Sequence, residues 1–284
     1  FDISSGRFYI FAMKKKDILF FSIFFLASSL AAYPQFKPEE LAARQQWENF
    51  LKKAKIIKGE TIGEGVTKSK KLLLRQGDVE ASGIWKRPVG LGAELYDKWQ
   101  CEIAAYRLDK LLGLNMVPPT VERRYRLDSG SLQLWVSVPL SEQQKVEEKI
   151  AVPEEKLEHY EKMRSLQRAF DSLIANSDRT FQNLRYTEDW RLILIDHSRA
   201  FRDFSPFLNT LMYGKKGIRP TSGFGPLPRA FVEKLRGLSH DRIRNVVEDY
   251  LTGSEIKAIL TRRDLLLKEI DEAIKEKGEN KVLY

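Results

Sequence analysis

Cysteine is almost absent. Cys101 stands alone, so the chain has no intrachain disulfide framework and no Cys₄ or Cys₂His₂ zinc site. It lies in an apolar helical pattern beside Ile103 and Ala104, the setting of a buried small hydrophobe. Histidine is scarce too: His159, His197 and His240 are far apart and form no HExxH pair, which gives no reason to assign them a metal. No Arg/Lys stripe interleaves with aromatic residues as nucleic-acid binding prefers, and nucleic acid is not an expected partner. The net charge of +9 suits acidic partners such as nucleotides, phospholipid headgroups or acidic peptides. The charges are mixed in sign along nearly the whole chain, and there is no internal repeat or low-complexity domain.

Long hydrophobic runs are also missing. The longest apolar stretch, about fifteen residues near the N-terminus, is short of the roughly twenty that a spanning helix needs. It follows the basic run Met13-Lys-Lys-Lys, has an apolar centre at Ile18 to Leu26, and ends on the small residues Ser29-Leu30-Ala31. This order is that of a secretory signal peptide. We expect cleavage after Ala31, export to a periplasmic or extracellular compartment, and no stable membrane span afterwards; the alternative is an anchor left by an uncleaved signal. Residues 1–12 precede the first Met and are set aside. One cysteine lets an exported chain fold in an oxidising compartment without a bridge.

What is present reads as alternating helix and strand. Residues 38–55 carry Leu41, Trp47, Phe50 and Leu51 on one side of an amphipathic helix. The period then changes. Ile62 to Leu74, with a turn between, reads as a hairpin, Gly77-Asp78 as a second turn, and Ala81 to Lys86 as a third strand. Gly63 and Gly65, followed by Thr67 and Ser69, offer backbone N–H groups and hydroxyls that would cover phosphates, or they are simply a turn. Lys86 has apolar strand neighbours; turned inward, its ammonium needs an anion. Residues 94–112 form a helix ended by Gly113. Glu102 lies on it one turn before Tyr106 and is either a surface charge or the partner of Lys86. Residues 120–126 and 131–140 read as strands, with Trp135 toward the core or a nucleotide base. Residues 141–156 are a charge-mixed insertion. A long helix follows over 153–175, with Leu157 and Phe170 on its buried face, and two more over 229–252 and 254–277, the latter with Ser254 as N-cap. The Gly/Pro-rich loop 202–228 brings Lys215, Lys216 and Arg219 together.

The stretch 170–201 organises the rest. Asp178 and Asn183 stand as D-x-x-x-x-N, a spacing that ordinary loop Asp and Asn also give, and Asp196 follows at the end of the apolar run Leu192-Ile193-Leu194-Ile195. A kinase-type phosphoryl-transfer site requires an Asp to orient the attacking hydroxyl, then an Asn and an Asp for metal, in this order. With Lys86 and Glu102 upstream, the order of all five groups is that of a protein-kinase-like fold.

The segment Glu102-Ile-Ala-Ala-Tyr-Arg-Leu-Asp-Lys-Leu-Leu-Gly-Leu-Asn-Met-Val-Pro-Pro-Thr resembles one shared by the Golgi casein kinase (family with sequence similarity 20) group of secretory kinases and the type II phosphatidylinositol 4-kinases. Asn176-Ser-Asp-Arg is similar to the N-x-D-R of the same families. Asp178-Arg-Thr-Phe-Gln-Asn183 resembles the lipid kinases and the HipA-like bacterial kinases more closely, and Ile195-Asp196 followed by Phe201 resembles the metal-binding segment of all of them. The likeness spans about residues 60–275. The chain lacks the cysteine framework of the animal secretory kinases and the cysteine-rich palmitoylation segment of the type II lipid kinases.

The resemblance implies an α+β, two-lobed protein-kinase-like fold. After the N-terminal helix of residues 32–59 comes a small β-rich lobe over 60–140 with one key helix, then a larger, mostly helical lobe over 141–284. It implies an ATP-dependent kinase with Mg²⁺ or Mn²⁺ and an unidentified hydroxyl acceptor, protein or lipid. Lys86, held by Glu102, would contact the phosphates; Gly63, Gly65, Thr67 and Ser69 would cover them. Asn183 and Asp196 would hold metal, Asp178 would orient the acceptor, and the 202–228 loop would dock it or is a plain basic surface loop. The alternative is a non-catalytic, exported nucleotide- or protein-binding module on the same fold.

Overall fold

The computed structural model describes residues 37–62, 69–87 and 97–284. The chain opens on two helices, α1 (Pro38–Ala42) and α2 (Arg44–Lys53), followed by the strands β1 (Lys55–Thr61), β2 (Lys70–Gln76) and β3 (Val79–Lys86). Helix α3 (Trp99–Leu112) comes next, then β4 (Thr120–Tyr125) and β5 (Asp128–Leu134). The five strands form one antiparallel sheet in the order β1-β2-β3-β5-β4. Helix α2 covers one face of it, burying Phe50 and Leu51 with Leu72, Leu74, Trp85 and Leu132. Each such side chain contributes roughly 1.5–3 kcal/mol. Side chains alternate along β3, so Lys86 points away from the face that holds Trp85. Gly130 lets β5 pass here, since a Cβ would stand 2.5 Å from the Lys86 carbonyl oxygen.

The remainder is mostly helical. β6 (Leu140–Ser141) and α4 (Glu142–Glu147) occupy the charge-mixed insertion, and α5 (Leu157–Leu173) is the long helix. The short strands β7 (Leu184–Tyr186) and β8 (Leu192–Leu194) pair antiparallel, with β6 beside β7. β9 (Tyr213–Gly214) and β10 (Arg219–Pro220) form a minimal parallel pair. Helices α6 (Arg229–Arg236), α7 (His240–Val247), α8 (Gly253–Lys277) and α9 (Glu279–Val282) complete the chain. The fold is thus α+β, with a β-rich N-terminal sheet and a helical C-terminal part.

Several local expectations need correction. The helix expected over 229–252 is two helices, because the chain turns at Gly237 and Ser239 caps α7 by accepting the Arg242 N–H. α8 is capped by Thr252, not Ser254: its hydroxyl accepts the Glu255 N–H while the Glu255 carboxylate accepts the Thr252 N–H, a reciprocal capping box. Leu157 is exposed, and so is Trp135, with the Lys71 ammonium 4.2 Å from its ring centre.

Helix α3 belongs to the larger core more than to the sheet. Cys101, Ala104, Ala105, Leu108 and Leu112 pack with Phe170, Leu173, Leu235 and Ile259. Cys101 is buried, its thiol pushed well above the ordinary range by burial and by the Glu255 carboxylate. α2 braces the opposite side of α3. Glu48 accepts hydrogen bonds from the Tyr106 hydroxyl (2.5 Å) and the Lys110 ammonium (2.6 Å). No helix among the described residues is long and apolar enough to cross a membrane.

Candidate active site

Lys86 is the meeting point. Its ammonium lies 2.8 Å from Glu102 Oε1 and 2.9 Å from Asp196 Oδ1. Burial alone would lower its pKa, but the two carboxylates outweigh burial and raise it. Glu102 is buried, so it is not the surface charge that sequence alone allowed. Burial would raise its carboxyl, yet Lys86 holds it well below the usual carboxylate range. Its second oxygen accepts the His197 backbone N–H at 3.0 Å, tying α3 to the residue after Asp196.

Asp178 and Asn183 are placed by a chain of hydrogen bonds. α5 ends at Leu173, and Ala175 turns the backbone with φ 47°. The Asn176 side chain then accepts the Asp178 N–H at 3.2 Å, an Asx turn. The Asp178 carbonyl accepts the Asn183 side-chain N–H at 3.2 Å. That bond leaves the Asn183 amide oxygen available to another partner. Asp196 adopts φ 60°, a left-handed backbone that concentrates at functional sites.

The buried Arg179 fastens these pieces together. Its guanidinium makes a two-pronged pair with Asp171 of α5, at 2.9 and 3.0 Å, and donates to the carbonyls of Asn183 (3.2 Å) and Ile195 (2.6 Å). It also lies 2.9 Å from His197 Nε2. Nε2 is therefore the acceptor and the ring proton sits on Nδ1, 3.6 Å from Glu102 Oε2. Burial and the Arg179 charge lower the His197 pKa, so the ring is neutral. One arginine thereby positions both residues expected to bind metal, and links them through His197 to Glu102.

Arg199 makes a second link on the exposed side. It donates to Asp97 at 2.8 Å and stands 3.3 Å from Asp178 Oδ2. Asp97, just before α3, also accepts the Ser198 hydroxyl at 3.2 Å. The spacing of the motifs does not reveal Asp171, Arg179, His197, Asp97 or Arg199 as part of the site. The readable signal was Asp171, a carboxylate between Phe170 and the apolar pair Leu173-Ile174 on a buried helix face, which requires a cation.

The remaining expected positions separate. Ser69 sits at the base of the β1–β2 hairpin, where its carbonyl accepts the Ile62 N–H at 3.0 Å. Gly63, Gly65 and Thr67 lie outside the described residues. The basic loop divides: Arg219 donates to the carbonyls of Ser177 (3.1 Å) and Arg179 (3.2 Å), whereas Lys215 turns to Glu276 on α8, 2.6 Å away.

The donor set fits a hard cation. Asp196 is partly open and Asn183 supplies an amide oxygen. No group of three or more His, Cys, Asp or Glu side chains is gathered for a metal among the described residues. Two protein oxygens, completed by phosphate and water, are the usual Mg²⁺ arrangement.

In shape the chain is similar to known kinases. A hydra Fam20 structure with sugar superposes with a TM-score of 0.61 at 19% identity, covering 86% of this chain and 92% of that one. The Golgi casein kinase with Mn/ADP bound gives 0.59 at 15% identity, covering 85% and 78%. The Helicobacter pylori proinflammatory kinase CtkA gives 0.53 at 13% identity, covering 81% and 98%. The chain has a Fam20-like, protein-kinase-like fold. At these identities the likeness rests on shape alone; no family model and no curated protein sequence matches the chain.

Proposed function

We propose that the chain is an ATP-dependent phosphotransferase, moving the γ-phosphoryl group of a nucleotide to a hydroxyl on a protein or a phosphoinositide-like lipid. The observation that carries this reading is the Lys86 ammonium between Glu102 and Asp196, with Asp178 and Asn183 fixed on the adjoining loop. Lys86 would contact the α- and β-phosphates, its direction set by Glu102. Asp196 and Asn183 would hold Mg²⁺ or Mn²⁺, which when bound neutralises phosphate charge. Asp178 would orient the acceptor hydroxyl and receive its proton, and Arg199 limits where its carboxylate can swing. Such a site works by positioning and charge stabilisation. The Mn/ADP of the Golgi casein kinase structure supports the same pairing of nucleotide and metal here. The basic-then-apolar N-terminal segment supports export through a signal peptide.

Thermal unfolding with and without ATP and either metal tests the reading. A ligand at a hundred times its dissociation constant adds about 2.7 kcal/mol. We expect a metal-dependent stabilisation by ATP that Asp196→Ala abolishes. No response to ATP or GTP with either metal would overturn the nucleotide site. A response without transfer to any hydroxyl would leave a nucleotide-binding module.

A further inference from the structure

A cavity of about 460 Å³ lies between α2, α3, β4, α7 and the segment just after α7. It shares no lining residue with the Lys86–Asp196 site. Its α3 wall begins at Tyr106, one turn beyond Glu102, and runs to Leu111. The volume is that of a small-molecule site.

Its chemistry has two halves. Leu111, Val121 and Val246 give it an apolar wall. Around them stand three cations, Lys52, Arg107 and Lys110, against two carboxylates, Glu48 and Glu122. Glu48 is already committed to Lys110 and Tyr106. Arg107 spends its guanidinium on neutral acceptors, the Val246 carbonyl at 2.8 Å and the Tyr250 hydroxyl at 3.5 Å. It also lies 4.6 Å from the Tyr250 ring centre. Lys52 lies close enough to Glu48 to help lower its pKa, but the contact ion pair of Glu48 is with Lys110. Three cations against two carboxylates leave the lining with one net positive charge, and beside an apolar wall this suits a ligand with an anionic head and an aromatic or aliphatic body.

The geometry points to a second ligand site here, separate from the nucleotide cleft, for an amphiphilic organic anion. Its occupant would rest against the helix that carries Glu102. The assignment stands whether or not the chain transfers phosphoryl groups.

The probe is 8-anilinonaphthalene-1-sulfonate, an aromatic sulfonate, titrated by fluorescence into the folded full chain. We expect saturable one-to-one binding that excess ATP with Mg²⁺ does not displace. Asn245→Trp, at an exposed lining position of α7, should fill the space and weaken binding at least tenfold. Lys52→Glu, also at an exposed position, should weaken it several-fold by reversing a charge. Both variants should unfold at the wild-type temperature. No saturable binding, binding unchanged in both variants, or displacement by ATP with Mg²⁺ would overturn the site; the last would return the probe to the nucleotide cleft. Failure of the ATP stabilisation alone would count against the phosphotransferase reading and leave this one intact.

Discussion

Asp171 and Asp178 lie seven residues apart, and each faces an arginine. Asp171 and Arg179 have side chains 0% and 1% exposed and share two short hydrogen bonds. Asp178 and Arg199 are 42% and 30% exposed and meet through one contact of 3.3 Å. The first pair is sealed on every side, and its role is to hold backbone: the carbonyls of Asn183 and Ile195 hang from Arg179. The second leaves a carboxylate open to solvent, as the proposed role of Asp178 requires. A fixed charge builds the site, and a half-open one is free to act in it.

The largest expected effect separates the pairs by function. Asp178→Ala should lower phosphoryl transfer by about 10²–10⁴-fold, the usual worth of a positioned base. The ATP-dependent stabilisation and the unfolding midpoint should stay near wild type. Normal transfer by this variant would remove Asp178 from its role.

Arg179→Ala should do the reverse and act on the fold. It leaves Asp171 buried without a cation, at a cost of about 3–5 kcal/mol, read from urea unfolding. A cost below about 1 kcal/mol would show that the pair is not structural.

A third carboxylate sharpens the contrast, since Asp109 is buried without an arginine fork. It accepts the N–H groups of Met116 and Val117 on one oxygen, and the other has no hydrogen-bond partner among the described residues. Burial pushes its pKa up to about 7, against the opposing pull of those N–H groups and Arg44. The folded protein therefore keeps a proton that the unfolded chain releases near pH 4, and stability falls as pH rises from there to about 7. Relative to Asp109→Asn, which cannot ionise, wild type should lose up to about 1.4 kcal/mol per pH unit in this window. Parallel stability curves for the two proteins would show that folding does not raise the Asp109 pKa.

The sequence made the exposed half of this contrast legible and hid the buried half. Asp178, Asn183 and Asp196 declare themselves by spacing and by the apolar strand before Asp196. Lys86 and Glu102 declare themselves only by their order, since nothing local reveals that either side chain turns inward. Asp171 and Arg179 read as ordinary charges on a helix and a loop. The structure, not the spacing, shows that each is the other's counter-ion. His197 is one of three scattered histidines in the sequence and becomes a link only where β8 ends beside α3. The sheet and α5 follow from periodicity. A continuing apolar pattern masks the break at Gly237, and Thr252-x-x-Glu255 is the capping signature that outweighs Ser254.

The solitary Cys101 has a practical consequence. Its thiol is buried, donates to the Ala200 carbonyl and is held in the protonated form, so maleimides and iodoacetamides should pass it by while the protein is folded. A cysteine introduced at an exposed position would then take a fluorophore or spin label by itself. The native chain can serve directly as the background for distance measurements between the sheet and the helices.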